Sequence, residues 1–277
     1  MANYNLRGLP HFLLATLVLM ASCAICRASA LPDALVGRWQ VTEVHINTYM
    51  SSKTDYRWND PQLRWRIFTF SDAQLSNDTP EGDDCEAPQA VTTKMSATHL
   101  MDDSLAHTWG SDRNPETHPS PAAYGLKIDP NGQVNVTSIH CKDGLWQGDL
   151  GTGKGVEGAW MFLTRGGQLV MRWRDETILM LDRLPPDAKP QASFDCAKAN
   201  SAAEKAICSS IQLASFDRSV NWAYKIARDD AKDAGDSLSK LAAGQRTWLR
   251  KRDACGANAP CLLATMKQRL EDLSGDP

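Results

Sequence analysis

The sequence predicts an antiparallel β-barrel followed by a small, disulfide-stapled all-α domain, and three observations carry that prediction. Apolar residues from Leu31 to Leu184 alternate or come in short blocks, whereas after Ser193 they recur at three and four residues. The proline-rich string Leu184-Pro185-Pro186-Asp187-Ala188-Lys189-Pro190 stands between these two regimes. The eight cysteines also divide unevenly: two precede Ala30, two lie in the alternating half, and four fall after Ser193.

Residues 1–30 are expected to be a signal peptide. Arg7 and the amino terminus give a positive front, Phe12 to Ala21 form a ten-residue apolar run, and Ala28-Ser29-Ala30 offers a small-residue cleavage site after Ala30. Such a run is too short to span a bilayer as a helix, so the chain is expected not to be membrane-spanning. Cys23 and Cys26 have the spacing of a redox or metal pair, and Met20-Ala21-Ser22-Cys23 resembles a lipidation site. Cysteine parity argues against both. Cleavage after Ala30 leaves six cysteines, an even set suited to an oxidising compartment, whereas lipidation at Cys23 would leave seven others. The expected location is the periplasm or the exterior.

In the expected barrel domain, residues 31–184, eight strand-like blocks follow one another: Trp39–Ile46, Trp65–Phe70, Val91–Met95, Tyr124–Ile128, Val134–Ile139, Trp160–Leu163, Leu169–Trp173 and Ile178–Leu181. Turn strings such as Asp129-Pro130-Asn131-Gly132 and Arg165-Gly166-Gly167-Gln168 favour antiparallel neighbours. Almost no helix signal is visible here. The polar stretch from Met101 to Pro121 is expected to be a flexible loop over one barrel end. Gly37-Arg38-Trp39 resembles the start of a lipocalin barrel, and Arg183 stands where such barrels cover that tryptophan with an arginine. The domain is therefore lipocalin-like in expected architecture. Lipocalin likeness implies a small apolar or cell-wall-derived ligand held in the barrel.

A Pro-rich linker, residues 185–192, leads to the expected helical domain, residues 193–277. Ser201 and Glu204 form a capping box that opens a short helix ending near Ser209. Ser209 and Gln212 give a second start signal, followed by Leu213, Phe216, Val220, Ala223 and Ala227 on one helical face. Leu238, Leu241, Trp248 and Leu249 mark a third helix. Pro260, in a first turn, opens a fourth carrying Leu262, Met266, Leu270 and Leu273. Keeping bonds within domains and loops short selects Cys85 with Cys141, Cys196 with Cys208 and Cys255 with Cys261. A swap among the last four remains open among the 15 connectivities that six cysteines allow.

The order of Phe194-Asp195-Cys196, Glu204-Lys205-Ala206-Ile207-Cys208, Leu213 to Tyr224, Gln245-Arg246-Thr247-Trp248 and Arg252-Asp253-Ala254-Cys255 resembles the LprI-type lysozyme-inhibitor domain of bacterial envelope proteins. The resemblance covers the last third of the chain. It implies an extracytoplasmic helical module with a protein partner, and in its sharper form inhibition of lysozyme or another peptidoglycan hydrolase.

Charge and motifs narrow the function classes. Leu31 to Pro185 carries 14 basic and 21 acidic residues, and Pro186 onward 14 basic and 12 acidic, so nucleic acid is not an expected partner. An acidic barrel suits a basic protein such as an animal lysozyme, although it equally suits solubility. Gly148 to Lys154 has phosphate-loop spacing, but Gly155 stands where a Ser or Thr must hold magnesium. His45, His99, His107, His118 and His140 lack metal spacing. The carboxylates of Glu81-Gly82-Asp83-Asp84 lie in a polar loop with no expected apolar shell to raise a pKa. No catalytic, cofactor or metal residue is therefore assigned, and the chain is expected not to be an enzyme.

The residues weighed for partner binding are Arg246, Trp248, Arg250, Lys251, Arg252 and Asp253. One reading makes Trp248 core, Arg252 and Asp253 a corner salt bridge, and the remaining cations a solvated face. The other has Arg246 and Arg250, four apart on one helical face, meet with Lys251 the two catalytic carboxylates of a lysozyme cleft. The alternative to hydrolase binding is a ligand carrier or sensor with the helical domain as its protein-interaction adaptor.

Overall fold

The computed structural model describes Met1 and residues 30–49, 55–105, 119–150 and 156–274. Most of the expected signal peptide lies outside the described residues, as do most of the phosphate-loop-like string and His107 and His118.

The alternating half forms one antiparallel sheet of ten strands: β1 (Gly37–His45), β2 (Ile67–Phe70), β3 (Gln74–Asn77), β4 (Cys85–Glu86), β5 (Gln89–Ser96), β6 (Gln133–Cys141), β7 (Gly144–Leu145), β8 (Trp160–Leu163), β9 (Leu169–Arg172) and β10 (Ile178–Leu184). Helix α1 (Ala97–Leu105) follows β5. The order is β4-β3-β2-β1-β10-β9-β8-β6-β5, with β7 paired to β6. The first and last strands therefore pair, with Trp39 opposite Arg183, and the seam falls between β4 and β5. The Cys85–Cys141 disulfide and the Lys142 N–H, which donates to Glu86 O at 3.0 Å, draw the seam together at one end.

Strand alternation explains two cores. One buried cluster takes residues from both ends of the strand order and between, including Trp39, Phe68, Leu75, Ala90, Ile139, Met161, Met171 and Leu181, and is the filled interior of the curl. The alternate residues Val136, Trp160, Phe162, Val170, Ile178 and Met180 face outward under Leu100, Met101 and Leu105 of α1 and under Tyr124 and Leu126. Arg183 lies over Trp39 at 4.3 Å from its ring centroid and donates to Val36 O at 2.5 Å, the covering role expected of it.

Two expectations for this half are corrected. Tyr124–Ile128 is not a strand; Leu126 N–H donates to Pro121 O and Gly125 N–H to Ala122 O, so the segment turns and uses its apolar residues as a lid on the outer face. The start of the expected loop from Met101 is instead helix, because Ala97, Leu100, Met101, Ser104 and Leu105 lie at helical spacing and are buried.

The remaining helices are α2 (Ala202–Ser209), α3 (Ile211–Asp233), α4 (Leu238–Ala254) and α5 (Ala259–Ser274). Ser201 and Glu204 form the expected capping box at α2. The cap of α3 is Ser210 rather than Ser209: Ser210 accepts from Leu213 N–H, while Ser209 Oγ donates back to Ala206 O. Disulfides join Cys196 to Cys208 and Cys255 to Cys261. Leu213, Phe216, Val220, Trp248, Leu262 and Met266 meet in the shared core.

Candidate functional site

Helix α4 divides the six residues weighed for partner binding into two sets. Trp248 is buried and its indole N–H donates to Thr265 O at 3.2 Å. Arg252, one turn on, is also buried, and its Nε and Nη2 donate to Asp253 Oδ1 at 3.0 and 2.8 Å. Its Nη1 lies 3.7 Å from Asp217 Oδ1, and its guanidinium sits 5.5 Å from the Trp248 ring. Asp217 in turn accepts from Ser193 N–H at 2.7 Å. Burial pushes the Asp217 carboxyl above its ordinary value, although the Ser193 bonds and Arg252 pull the other way. Desolvation is the largest of these influences and sets the direction. Trp248, Arg252 and Asp253 thus build the corner of the fold.

Arg246, Arg250 and Lys251 stand on the exposed side of α4. Arg250 Nη2 donates to Thr247 Oγ1 at 3.0 Å, and no ion pair engages these three cations among the described residues. These three cations stand at the surface without a carboxylate in ion-pair contact among the described residues.

The structure also forms a contact that the sequence reading missed. Most of α3 is docked on the sheet half. Gln40 Nε2 donates to Ser215 Oγ at 2.8 Å, Arg66 Nη2 to Ser219 Oγ at 2.8 Å, and Trp222 Nε1 to Asn59 O at 3.1 Å. Arg57 pairs with Asp230 at 3.1 Å near the far end of the helix. Between these bonds, Arg66 stacks 3.4 Å from the Phe216 ring centroid and Arg218 lies 4.5 Å from that of Trp65. Trp65 takes φ 67°, a conformation costly for a bulky residue, at the centre of this contact. The available signal was Ser215, Ser219 and Trp222 at helical spacing, a polar stripe beside the apolar one.

The acidic loop needs a further correction. Glu81 does have an apolar shell: the Tyr56 hydroxyl bonds its Oε1, and burial raises its carboxyl above its ordinary value. Asp83 is held by Arg174 Nη2 at 2.5 Å, and Arg174 Nη1 reaches Asp149 at 2.8 Å. No group of three His, Cys, Asp or Glu residues among those described could hold a metal. A ligand carried inside the barrel gains no support, because aromatic side chains including Phe68, Trp146 and Trp173 pack edge-on there. A cleft of about 520 Å³ lies instead on the outer face, beside Phe162 and Met180.

The four helices, their two disulfides and the cationic face of α4 fall within one segment with known kin. Residues 196–273 match the family model for lysozyme inhibitor LprI. The LprI-like segment begins at the first cysteine of the helical half and ends in α5, leaving the sheet outside the match. No curated protein and no solved structure gives a significant match to the chain. The LprI-like segment has a protein partner in its family's name, and no helix among the described residues is long and apolar enough to cross a membrane.

Proposed function

We propose that this chain is an exported envelope protein that binds a lysozyme-type peptidoglycan hydrolase and blocks its cleft, without chemistry of its own. The observation that carries the reading is the match of residues 196–273 to lysozyme inhibitor LprI. Arg246, Arg250 and Lys251 supply the contact: they are exposed, without a carboxylate in ion-pair contact among the described residues, and mounted on a helix locked by Trp248 and Arg252. A glycosidase cleft carries two carboxylates, so a rigid cationic face is complementary to it. Trp248, Arg252 and Asp253 hold that face in place.

Three disulfides and the signal-like segment ending at Ala30 support export to the periplasm or the exterior. The acidic sheet half steers a basic hydrolase toward the molecule. In a peptidoglycan turbidity assay the full chain is expected to slow clearance by an animal lysozyme at micromolar concentration. A variant with Arg246→Glu, Arg250→Glu and Lys251→Glu loses that protection while keeping its Tm. No protection by the parent chain, together with no co-elution with lysozyme, overturns the reading.

A further inference from the structure

The sheet half has a feature that hydrolase binding does not use: the cleft on its outer face, opposite the filled interior. We propose that this cleft binds a short, uncharged glycan.

Its volume, about 520 Å³, lies in the range of small-ligand sites. The floor is apolar, formed by Phe162 and Met180 where β8 and β10 turn their outward residues up between neighbouring loops. Planar hydrogen-bonding groups ring this floor: the Glu43 carboxylate, the Gln133 carboxamide and that of Gln168, whose Nε2 already donates to Asp182 Oδ1 at 2.9 Å. His45 Nδ1 faces Tyr124 O at 2.8 Å and Nε2 lies 3.1 Å from Glu43 Oε2, so the ring and the carboxylate stand side by side at the rim. Glu43 Oε1 is then available to accept from a ligand hydroxyl.

The ionic groups of the lining cancel. Glu43 and Asp129 stand against Lys127 and Arg165, so neither a phosphate nor a polyamine has a charge advantage. A lipid tail would leave the carboxylate and carboxamides desolvated and unpaired, a costly outcome. A neutral ligand with many hydroxyls and one apolar face satisfies both floor and rim.

Trp58 narrows the class to a sugar. It is 39 % exposed, one of few large apolar side chains among the described residues left in that state. Its ring packs edge-on against His45, with centroids 4.4 Å apart and planes at 68°. It also passes over Gly125, where a Cβ would approach Trp58 Cη2 to 2.9 Å, and Gly125 has φ 62°. The backbone beneath it is fixed, since Asn59 N–H donates to Val44 O at 2.8 Å. Trp58 does not itself line the cleft, but His45 and Gly125, on which it packs, both do, so the indole stands beside the rim. The electron-rich face of an indole attracts the weakly positive C–H face of a pyranose ring, and a fixed ring loses little entropy on binding.

The test is titration of the full chain with tetra-N-acetylchitotetraose, followed by calorimetry and by the Trp58 indole N–H resonance. Saturable binding is expected, with a shift of that resonance and affinity about tenfold weaker in Trp58→Ala and in Glu43→Ala. Absence of saturation at millimolar tetrasaccharide overturns the proposal. So does binding that leaves the Trp58 resonance unmoved, or tighter binding of a neutral tetrapeptide at the same cleft. Should either variant prove unfolded by its Tm, the resonance shift in the parent chain decides. The cleft and the cationic face of α4 lie on different halves, so glycan binding and hydrolase protection can fail independently.

Discussion

Asp217 and Arg252 show how one pair of side chains couples the helical core to pH. Both are buried, and burial is the largest influence on the Asp217 carboxyl, raising its pKa from the ordinary 3.8. The native chain therefore holds that proton more firmly than the unfolded chain does. The stabilising contribution of the protonated form is fully present below the ordinary value and is lost as pH rises through the raised one. Asp217→Asn cannot titrate, so as pH rises from the ordinary carboxyl value of 3.8 its Tm should change less with pH than that of the parent. Equal slopes in thermal melts would show that the carboxyl does not titrate there. Trp248→Ala, by contrast, should cost about 3–5 kcal/mol at any pH, because it removes a buried indole that also bonds Thr265 O. Chemical denaturation measures that loss. The sequence supplied both readings of Arg252, as corner salt bridge and as partner contact, since charge at a helix surface is the common case. Helical phase puts it one turn from Trp248, which is why it is drawn inward, and spacing alone does not reveal Asp217 behind it.

At the level of elements, long periodic segments were legible and short or capped ones were less so. Seven of the eight expected strand blocks coincide with strands, whereas β3, with Leu75 its one apolar residue, and the two-residue β4 show no alternation. Tyr124–Ile128 misled because burial and extension give the same apolar signal in a short run. The start of α3 is a sharper case, because Ser209 and Ser210 stand side by side and only one can cap. Ser210 accepts from Leu213 N–H, so Ser210→Ala should lower stability by about 1 kcal/mol. Ser209→Ala should cost much less, since its hydroxyl donates only to Ala206 O on an exposed turn. Paired urea titrations distinguish the two, and equal losses would place the cap on neither serine. Ser201, whose capping box was legible because both its partners sit at fixed spacing, needs no such choice.

Across the whole molecule, the two halves are joined by more than their proline string, and Arg66 is the centre of that union. Its side chain has no solvent exposure, and complete desolvation pushes its pKa down to about 10, with Asp78 offsetting part of the effect. It therefore remains charged at neutral pH. Only Nη2 finds a hydrogen-bond acceptor, Ser219 Oγ, while Nε and Nη1 have none. The face of Phe216 takes up part of the charge. A buried cation satisfied this incompletely contributes little net stability, and its volume matters more than its charge. Arg66→Met, which keeps the packing on Phe216, should leave the full chain as stable as the parent or more so. Arg66→Ala should lose about 3 kcal/mol by opening a cavity between β2 and α3. Arg66→Glu goes further, because it sets an unpaired carboxylate against the Phe216 face and cannot donate to Ser219. In scanning calorimetry the parent should melt as one unit, because α3 cannot leave the sheet without exposing Trp65, Phe216 and Trp222 together. Arg66→Glu should split that peak into two, with the LprI-like half melting first, since its core is the smaller. A single unshifted peak in Arg66→Glu would mean that the halves are coupled through the Gln40, Arg57 and Trp222 bonds without it.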